Sequence, residues 1–298
     1  MRKAVIDLGT NTFNLAIADV ENNSIQLLHA DKEGVAIGMG GINDNLLSED
    51  AIQRAITCLK RFKSSCTDFQ VTKIEAIGTS AIRDASNRQT FLKSVKDATG
   101  IEIDVINGIQ EANLIYQGIA YTYNFESPSL IMDIGGGSTE FIAANANEIK
   151  DLISLNIGVS RIFQLFSFSD PMSTDDISNV ENYLDTNEHD FFDRINCQTL
   201  VGASGSFETF YELVYQKPYP KGYETQEIDF KEFESILDWT ISTSQSERDL
   251  NDFIIPIRKK MAPIAAIKTR WVIKKMKANR IVISPCSLKE GVLLRMDQ

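Results

Sequence analysis

Histidine is all but missing from this chain. His29 and His189 are the only two in 298 residues, they lie far apart, and no His-Glu-x-x-His spacing occurs. That argues against a Ser-His-Asp triad and a histidine-built zinc site, since both need an imidazole beside its partners. Cysteine is sparse too: Cys58, Cys66, Cys197 and Cys286 are scattered without a Cys-x-x-Cys pair. Reduced thiols in a cytoplasmic protein are the expectation. No run of about 18 apolar residues exists and no basic-then-apolar leader opens the chain, so neither a membrane span nor a signal peptide is expected. Positive charge is in deficit, with 30 Lys and Arg against 41 Asp and Glu, a net charge of −11. Broad nucleic-acid binding leans on a basic surface, so no nucleic-acid partner is expected.

What is present is a device spelled twice. Ala4-Val-Ile-Asp7-Leu-Gly9-Thr10-Asn11-Thr12-Phe13 and Leu130-Ile-Met-Asp133-Ile-Gly135-Gly136-Gly137-Ser138-Thr139-Glu140 are each an apolar strand ending in Asp, a turn of small residues, and a second apolar strand. Glycine and small hydroxyl residues let the backbone approach an anion, so that N–H and O–H groups point at phosphate oxygens. Asp7 and Asp133, at the strand ends, are well placed to hold a hydrated metal bridging those oxygens. A single copy taken alone reads first as a hairpin with an Asp or Gly turn. Two copies point to two related domains facing each other across a cleft that holds a phosphate chain. An acidic protein repels a polyanion at long range, so basic residues and metal ions would have to offset that repulsion locally.

Around the two devices the pattern is strands first, then alternating helix and strand, done twice, which is an α/β layer architecture. Ser48 with Glu49 and Asp50 opens a helix whose apolar face is Ile52, Ala55, Ile56, Leu59 and Phe62. Strands are expected at 73–77 and 102–106, with one helix from Ser80 to about Val95 and another over 109–121. Strands at 129–134, 139–144 and 148–155 then repeat the opening meander. Further helices are expected near 159–167, 174–186, 229–242 and 249–277, with strands at 199–201 and 281–283. The polar stretch from Tyr123 to Ser129 marks the boundary between domains 1–122 and 123–298.

The ordered set of segments resembles the exopolyphosphatase / guanosine pentaphosphate phosphohydrolase family of the actin-like ATPase superfamily, in its short two-domain form. Asp7 to Phe13 resembles the family's first phosphate loop, and Gly78-Thr-Ser-Ala-Ile-Arg83 its arginine-bearing turn. Gly108-Ile-Gln-Glu111 resembles the segment with the catalytic glutamate, and Asp133 to Glu140 the second phosphate loop. Gly202-Ala-Ser204-Gly-Ser206 and Ser287-Leu-Lys-Glu-Gly-Val292 resemble two later segments. The resemblance implies two ribonuclease-H-like domains around a central cleft. It implies a hydrolase that removes terminal phosphate from inorganic polyphosphate or guanosine pentaphosphate with Mg²⁺, as a homodimer. Glu111 would be the general base and Arg83 the cation facing the terminal phosphate. Asp133, Glu140 and Asp7 would serve the metal, and Gly9, Thr10, Asn11, Thr12, Gly135, Gly136, Gly137, Ser138, Thr139 and Ser204 the substrate.

The residues taken alone leave alternatives. Glu111 in a first helical turn favours the helix dipole without doing chemistry, and Arg83 suits a surface ion pair as well as a phosphate. Asp133 also reads as a turn residue and Glu140 as a solvent-facing strand position. An ATP-dependent kinase of the same superfamily and a non-catalytic phosphate sensor are the competing functions. Four positions depart from the family pattern: Gly34 stands where an arginine is common, Gln110 where a second acid is common, and Cys286 and Lys289 where glycine and arginine are usual.

Overall fold

A computed structural model describes residues 1–146 and 148–297. The first sheet contains β1 (Arg2–Leu8), β2 (Phe13–Glu21), β3 (Ser24–Glu33), β4 (Lys73–Gly78) and β5 (Ile103–Val105), in the order β3-β2-β1-β4-β5. β1, β2 and β3 form an antiparallel meander, and β4 and β5 run parallel to β1. The second sheet contains β6 (Ser129–Ile134), β7 (Thr139–Ala144), β8 (Ile149–Leu155), β9 (Thr199–Ala203), β10 (Gln226–Ile228) and β11 (Arg280–Ile283), in the order β10-β11-β9-β6-β7-β8. Leaving out the antiparallel edge strand β10, its order and strand directions repeat those of the first sheet. These are two ribonuclease-H-like units of the actin-like type.

The helices are α1 (Glu49–Asp68), α2 (Ser80–Asp84), α3 (Arg88–Thr99), α4 (Gly108–Ala120), α5 (Val159–Leu165) and α6 (Thr174–Asn187), then α7 (Ser204–Tyr215), α8 (Phe230–Ser242), α9 (Gln245–Asp249), α10 (Pro256–Lys259), α11 (Ala262–Met276) and α12 (Leu288–Arg295). Among the described residues no helix is long and apolar enough to cross a membrane.

Strand alternation decides which side chains reach the middle of the molecule, because successive residues point to opposite faces. In β1, Ala4, Ile6 and Leu8 face α1 and α3, and pack with Ala55, Leu59, Phe62 and Phe91. Val5 faces the other way. In β6, Leu130, Met132 and Ile134 join the outer core of the second unit with Phe207, Phe233 and Trp271. Ile131 joins Val5, Ala16, Ile142 and Val201 in a central layer built around α4 and α12. Asp7 and Asp133 continue the Val5 and Ile131 faces. Both carboxylates are therefore delivered to the central layer, at the strand ends where the helices leave room.

The central helices approach unusually closely. A Cβ on Gly118 of α4 would sit 2.0 Å from the Ser287 carbonyl oxygen, and one on Gly291 of α12 would sit 1.9 Å from that of Leu114. The obstacles are backbone atoms, so only separation of the helices could relieve them. Gly118→Ala or Gly291→Ala should each cost about 1–3 kcal/mol of stability, measurable by urea denaturation. A fully stable variant would show that the crossing is looser than described.

All strands of the first sheet precede residue 123 and all strands of the second follow it, yet α12 packs back onto the first unit. Lys3 Nζ donates to the Met296 carbonyl and to Asp297 Oδ1, each at 2.9 Å. The structure differs from the sequence expectation in three places. The helix expected from Ser80 to Val95 is two helices, separated at residues 85–87, where Ala85 is extended. The helix expected over 249–277 is two, α10 and α11, with Pro256 and Pro263 in their first turns, and α9, opened by a capping box of Ser244 and Glu247, ends where it was expected to begin. The short strand β10 was not expected.

Candidate active site

The two devices are the same turn. Asp7 pairs across β1 and β2 with Asn14, as Asp133 pairs across β6 and β7 with Glu140. A Cβ on Gly9 would lie 2.9 Å from the Thr12 carbonyl oxygen, and one on Gly135 would lie 2.9 Å from that of Ser138. The loops meet tip to tip. A Cβ on Gly136 would fall 2.9 Å from Thr10 Cβ, and one on Gly137 would fall 2.8 Å from Thr10 Oγ1. Side chains at those glycines would push the two units apart.

Asp7, Gly9, Thr10, Asn11, Thr12, Glu111, Asp133, Gly135, Gly136, Gly137, Ser138, Glu140 and Ser204 all line one cleft. Two expected site residues do not. Thr139 is fully buried, with its hydroxyl against Lys268 Nζ behind the loop. Arg83 reaches from behind the wall: its Nη1 donates to Glu111 Oε2 at 2.8 Å and to the Ile106 carbonyl at 3.3 Å. The Asn11 side chain is also committed, to Ser160 Oγ and to Met261 Sδ at 3.7 Å. Its contribution to the cleft wall is therefore mainly backbone.

Four acids converge on one part of the cleft. Burial pushes Asp7 up to about 6, against a hydrogen bond from Asn14 Nδ2 at 3.0 Å. Burial also raises Asp133, against a hydrogen bond from Ser287 Oγ at 2.5 Å. Burial and then the neighbouring Asp133 charge push Glu140 up to about 7, although Ser154 Oγ donates to it at 2.7 Å. Glu111 is raised well above the carboxylate range by burial and by Glu140, with Arg83 opposing. Among the described residues, no three His, Cys, Asp or Glu side chains close into a cation cage. The donors on offer are carboxylate and hydroxyl oxygens, which suit Mg²⁺ held by one or two carboxylates, waters and substrate phosphates.

Sequence reasoning missed the basic side of the cleft. Lys32, Arg258 and Lys289 line it together with Glu208 and the amino end of α7. Burial and then the Arg258 charge bring Lys32 down to about 8. Arg258 lies across Gly205, donates to Thr209 Oγ1 at 3.0 Å, and is lowered by burial. For Lys289 burial works downward, but Glu290 at 3.1 Å and Glu208 outweigh it and hold the amine above its usual value. The one legible sign was the basic run Arg258-Lys259-Lys260. Ser80 was missed as a cleft residue too: it lines the cleft, is 1% exposed, and its hydroxyl has no partner. Ser204 opens α7 at φ +67°, a left-handed conformation that costs a serine about 1 kcal/mol.

The departures fall unevenly on this geometry. Gln110 exchanges hydrogen bonds with Asn107 in the capping box of α4 and is exposed, so it contributes nothing to the cleft. Cys286 is buried, and a Cβ on Gly34 would rest 3.2 Å from Ile257. Only Lys289 is on the wall.

An ion-pair chain joins the two units behind the site. Arg161 of α5 donates to the Gly137 carbonyl at 3.2 Å, to the Ile42 carbonyl at 3.1 Å and to Asp84 at 2.9 Å. Asp84 lies 3.7 Å from Arg83, which holds Glu111. The second loop and the Glu111 carboxylate are thus tied through three side chains, those of Arg161, Asp84 and Arg83.

Comparison with known proteins gives the family and the fold. The sequence pattern of the Ppx/GppA phosphatase family matches residues 16–298. The chain belongs to this family. It is 35% identical over 217 residues to a guanosine-5'-triphosphate,3'-diphosphate pyrophosphatase of Photobacterium profundum, covering 71% of this chain and 43% of that protein. A protein of the same name from Aliivibrio fischeri is 34% identical over 216 residues, again 43% of its length. The chain thus spans less than half the length of these relatives. Among solved structures, an exopolyphosphatase from Cytophaga hutchinsonii superposes with a TM-score of 0.95 at 35% identity, covering 99% of this chain and 97% of that one. The Aquifex aeolicus Ppx/GppA family member superposes with a TM-score of 0.83 at 26% identity, over 99% of this chain and 97% of that one.

Proposed function

We propose that this family member hydrolyses the terminal phosphoanhydride of inorganic polyphosphate or guanosine pentaphosphate. The observation that carries the reading is the pair of matching loops, tip to tip on one cleft, with the Arg83-held carboxylate of Glu111 on the same wall. The polyphosphate and guanosine pentaphosphate relatives supply the substrate class. Residues 1–122 and 123–298 act as the two domains of a cytoplasmic homodimer.

Phosphoryl transfer asks mainly for in-line positioning and neutralised oxygens. Loop N–H groups and the hydroxyls of Thr10, Thr12, Ser138 and Ser204 donate to the phosphate chain. Lys32, Arg258 and Lys289 offset its charge along the cleft, which answers the long-range repulsion of an acidic protein. Glu111 orients a water and takes its proton as the water oxygen attacks the terminal phosphorus, while the bridging oxygen departs with the shortened chain. Arg83 fixes the Glu111 carboxylate from behind. Asp7, Asp133 and Glu140 are the groups to hold Mg²⁺, which when bound neutralises phosphate oxygens and relieves the mutual repulsion of the acids.

Phosphate release from polyphosphate and from guanosine pentaphosphate, with Mg²⁺ and no acceptor, tests the reading. Steady release is expected with at least one substrate. A kinase would release phosphate only slowly without its acceptor, and a sensor would bind without release; either result would defeat the proposal.

A further inference from the structure

The lysine behind the second loop has no part in the chemistry above. Lys268 of α11 is fully buried, and its Nζ donates to Thr139 Oγ1 and, at 2.6 Å, to the Ile157 carbonyl. Thr139 Oγ1 donates in turn to the Ser138 carbonyl at 3.0 Å. Ser138 is on the cleft wall, and Thr139 is followed directly by Glu140. Ile157 opens the turn whose next residues grip the loop from behind. Gly158, Val159 and Ser160 donate backbone N–H bonds to the carbonyls of Gly137, Gly135 and Gly136 at 3.2, 3.1 and 2.8 Å. The loop carbonyls are thereby drawn back from the cleft.

We propose that Lys268 is a positioning residue for phosphate binding: its one amino group pins the second loop through Thr139 and the supporting turn through Ile157, fixing the loop's donors toward the substrate. Burying an amine is costly, and an apolar side chain of similar length would fill the space without that cost. The two acceptors lie on the two segments whose spacing sets the loop's shape. The first loop has comparable backbone support, since Ala36 and Gly38 donate to the carbonyls of Asn11 and Thr10 at 2.8 and 3.2 Å. The lysine adds to the second loop a side-chain tie between loop and support.

The proposal rests on the cleft being a phosphate site, and its test separates the two claims. Tripolyphosphate binding in the presence of Mg²⁺ is measured by calorimetry on the full chain and on Lys268→Met, Thr139→Val and Thr139→Ser, with a thermal melt of each. Thr139→Ser keeps the hydroxyl and should bind like the unaltered protein. Thr139→Val and Lys268→Met should bind roughly tenfold more weakly, as expected for loss of a buried hydrogen bond, with KM rising more than kcat falls. Normal binding by folded Lys268→Met and Thr139→Val would overturn the role of the lysine. Should Lys268→Met not fold, equal binding by Thr139→Val and Thr139→Ser would overturn it instead. Absence of binding by the unaltered protein would overturn both the lysine's role and the phosphate reading of the cleft.

Discussion

Glu111→Gln should lower turnover by roughly 10²–10⁴-fold, the range for loss of a general base, with substrate affinity little changed. Glutamine keeps an oxygen to accept the 2.8 Å hydrogen bond from Arg83 but cannot take a proton. Two effects on stability oppose each other. Arg83 loses a charged partner, while burial and the repulsion from Glu140 that raise the Glu111 proton affinity are relieved. The melting temperature should therefore move little. If Glu111 served only the dipole of α4, turnover would stay near normal and the loss would appear as up to about 1 kcal/mol of stability. Steady-state phosphate release and a melt on the same variant distinguish the two outcomes. Near-normal turnover would remove Glu111 from the mechanism.

Asp133→Asn and Glu140→Gln should each abolish most Mg²⁺-dependent activity while leaving the fold intact. Glu140 is pushed up to about 7 and Asp7 to about 6, so in the folded protein both hold protons more tightly than in the unfolded chain. Their cost to stability is absent below the unfolded carboxylate range, grows as pH rises above it, and is complete once pH has passed about 6 for Asp7 and about 7 for Glu140. Without a divalent cation, that contribution should make the protein less stable at pH 8 than at pH 6. Mg²⁺ should raise the melting temperature more at pH 8, where the ligands are ionised. In Glu140→Gln the pH-dependent loss should shrink. Equal activity in EDTA and in Mg²⁺ would contradict the metal role.

Both loops and the two-unit plan were legible because each is written locally. An apolar strand ending in Asp7 or Asp133 and a turn of small residues needs no tertiary information to recognise, and strand alternation then sends both aspartates to the central layer. The breaks near Ala85 and Pro256 carried local signals, above all the Ser244 and Glu247 capping box. β10 is only three residues long at a sheet edge, too short for any periodic signature. The meeting of Lys32, Arg258 and Lys289 on one wall was not legible: the run Arg258-Lys259-Lys260 and the departure at Lys289 were visible singly, but residues from distant segments come together only when the two units close. The same holds for Lys268, whose neighbours Ile264, Ala265, Ile267 and Val272 announce a buried helix and nothing more. Thr139 shows the reverse: its motif position suggested a ligand, yet at the start of β7 alternation turns its side chain away from the cleft.

The most direct test of the account is the fate of the water oxygen. Polyphosphate and guanosine pentaphosphate are each incubated with the protein and Mg²⁺ in ¹⁸O-enriched water without an acceptor, and the products are analysed by mass spectrometry. Attack of a Glu111-activated water on the terminal phosphorus predicts one labelled oxygen in each released orthophosphate and none in the shortened chain. Label in the shortened chain, or no phosphate released from either substrate, would contradict it.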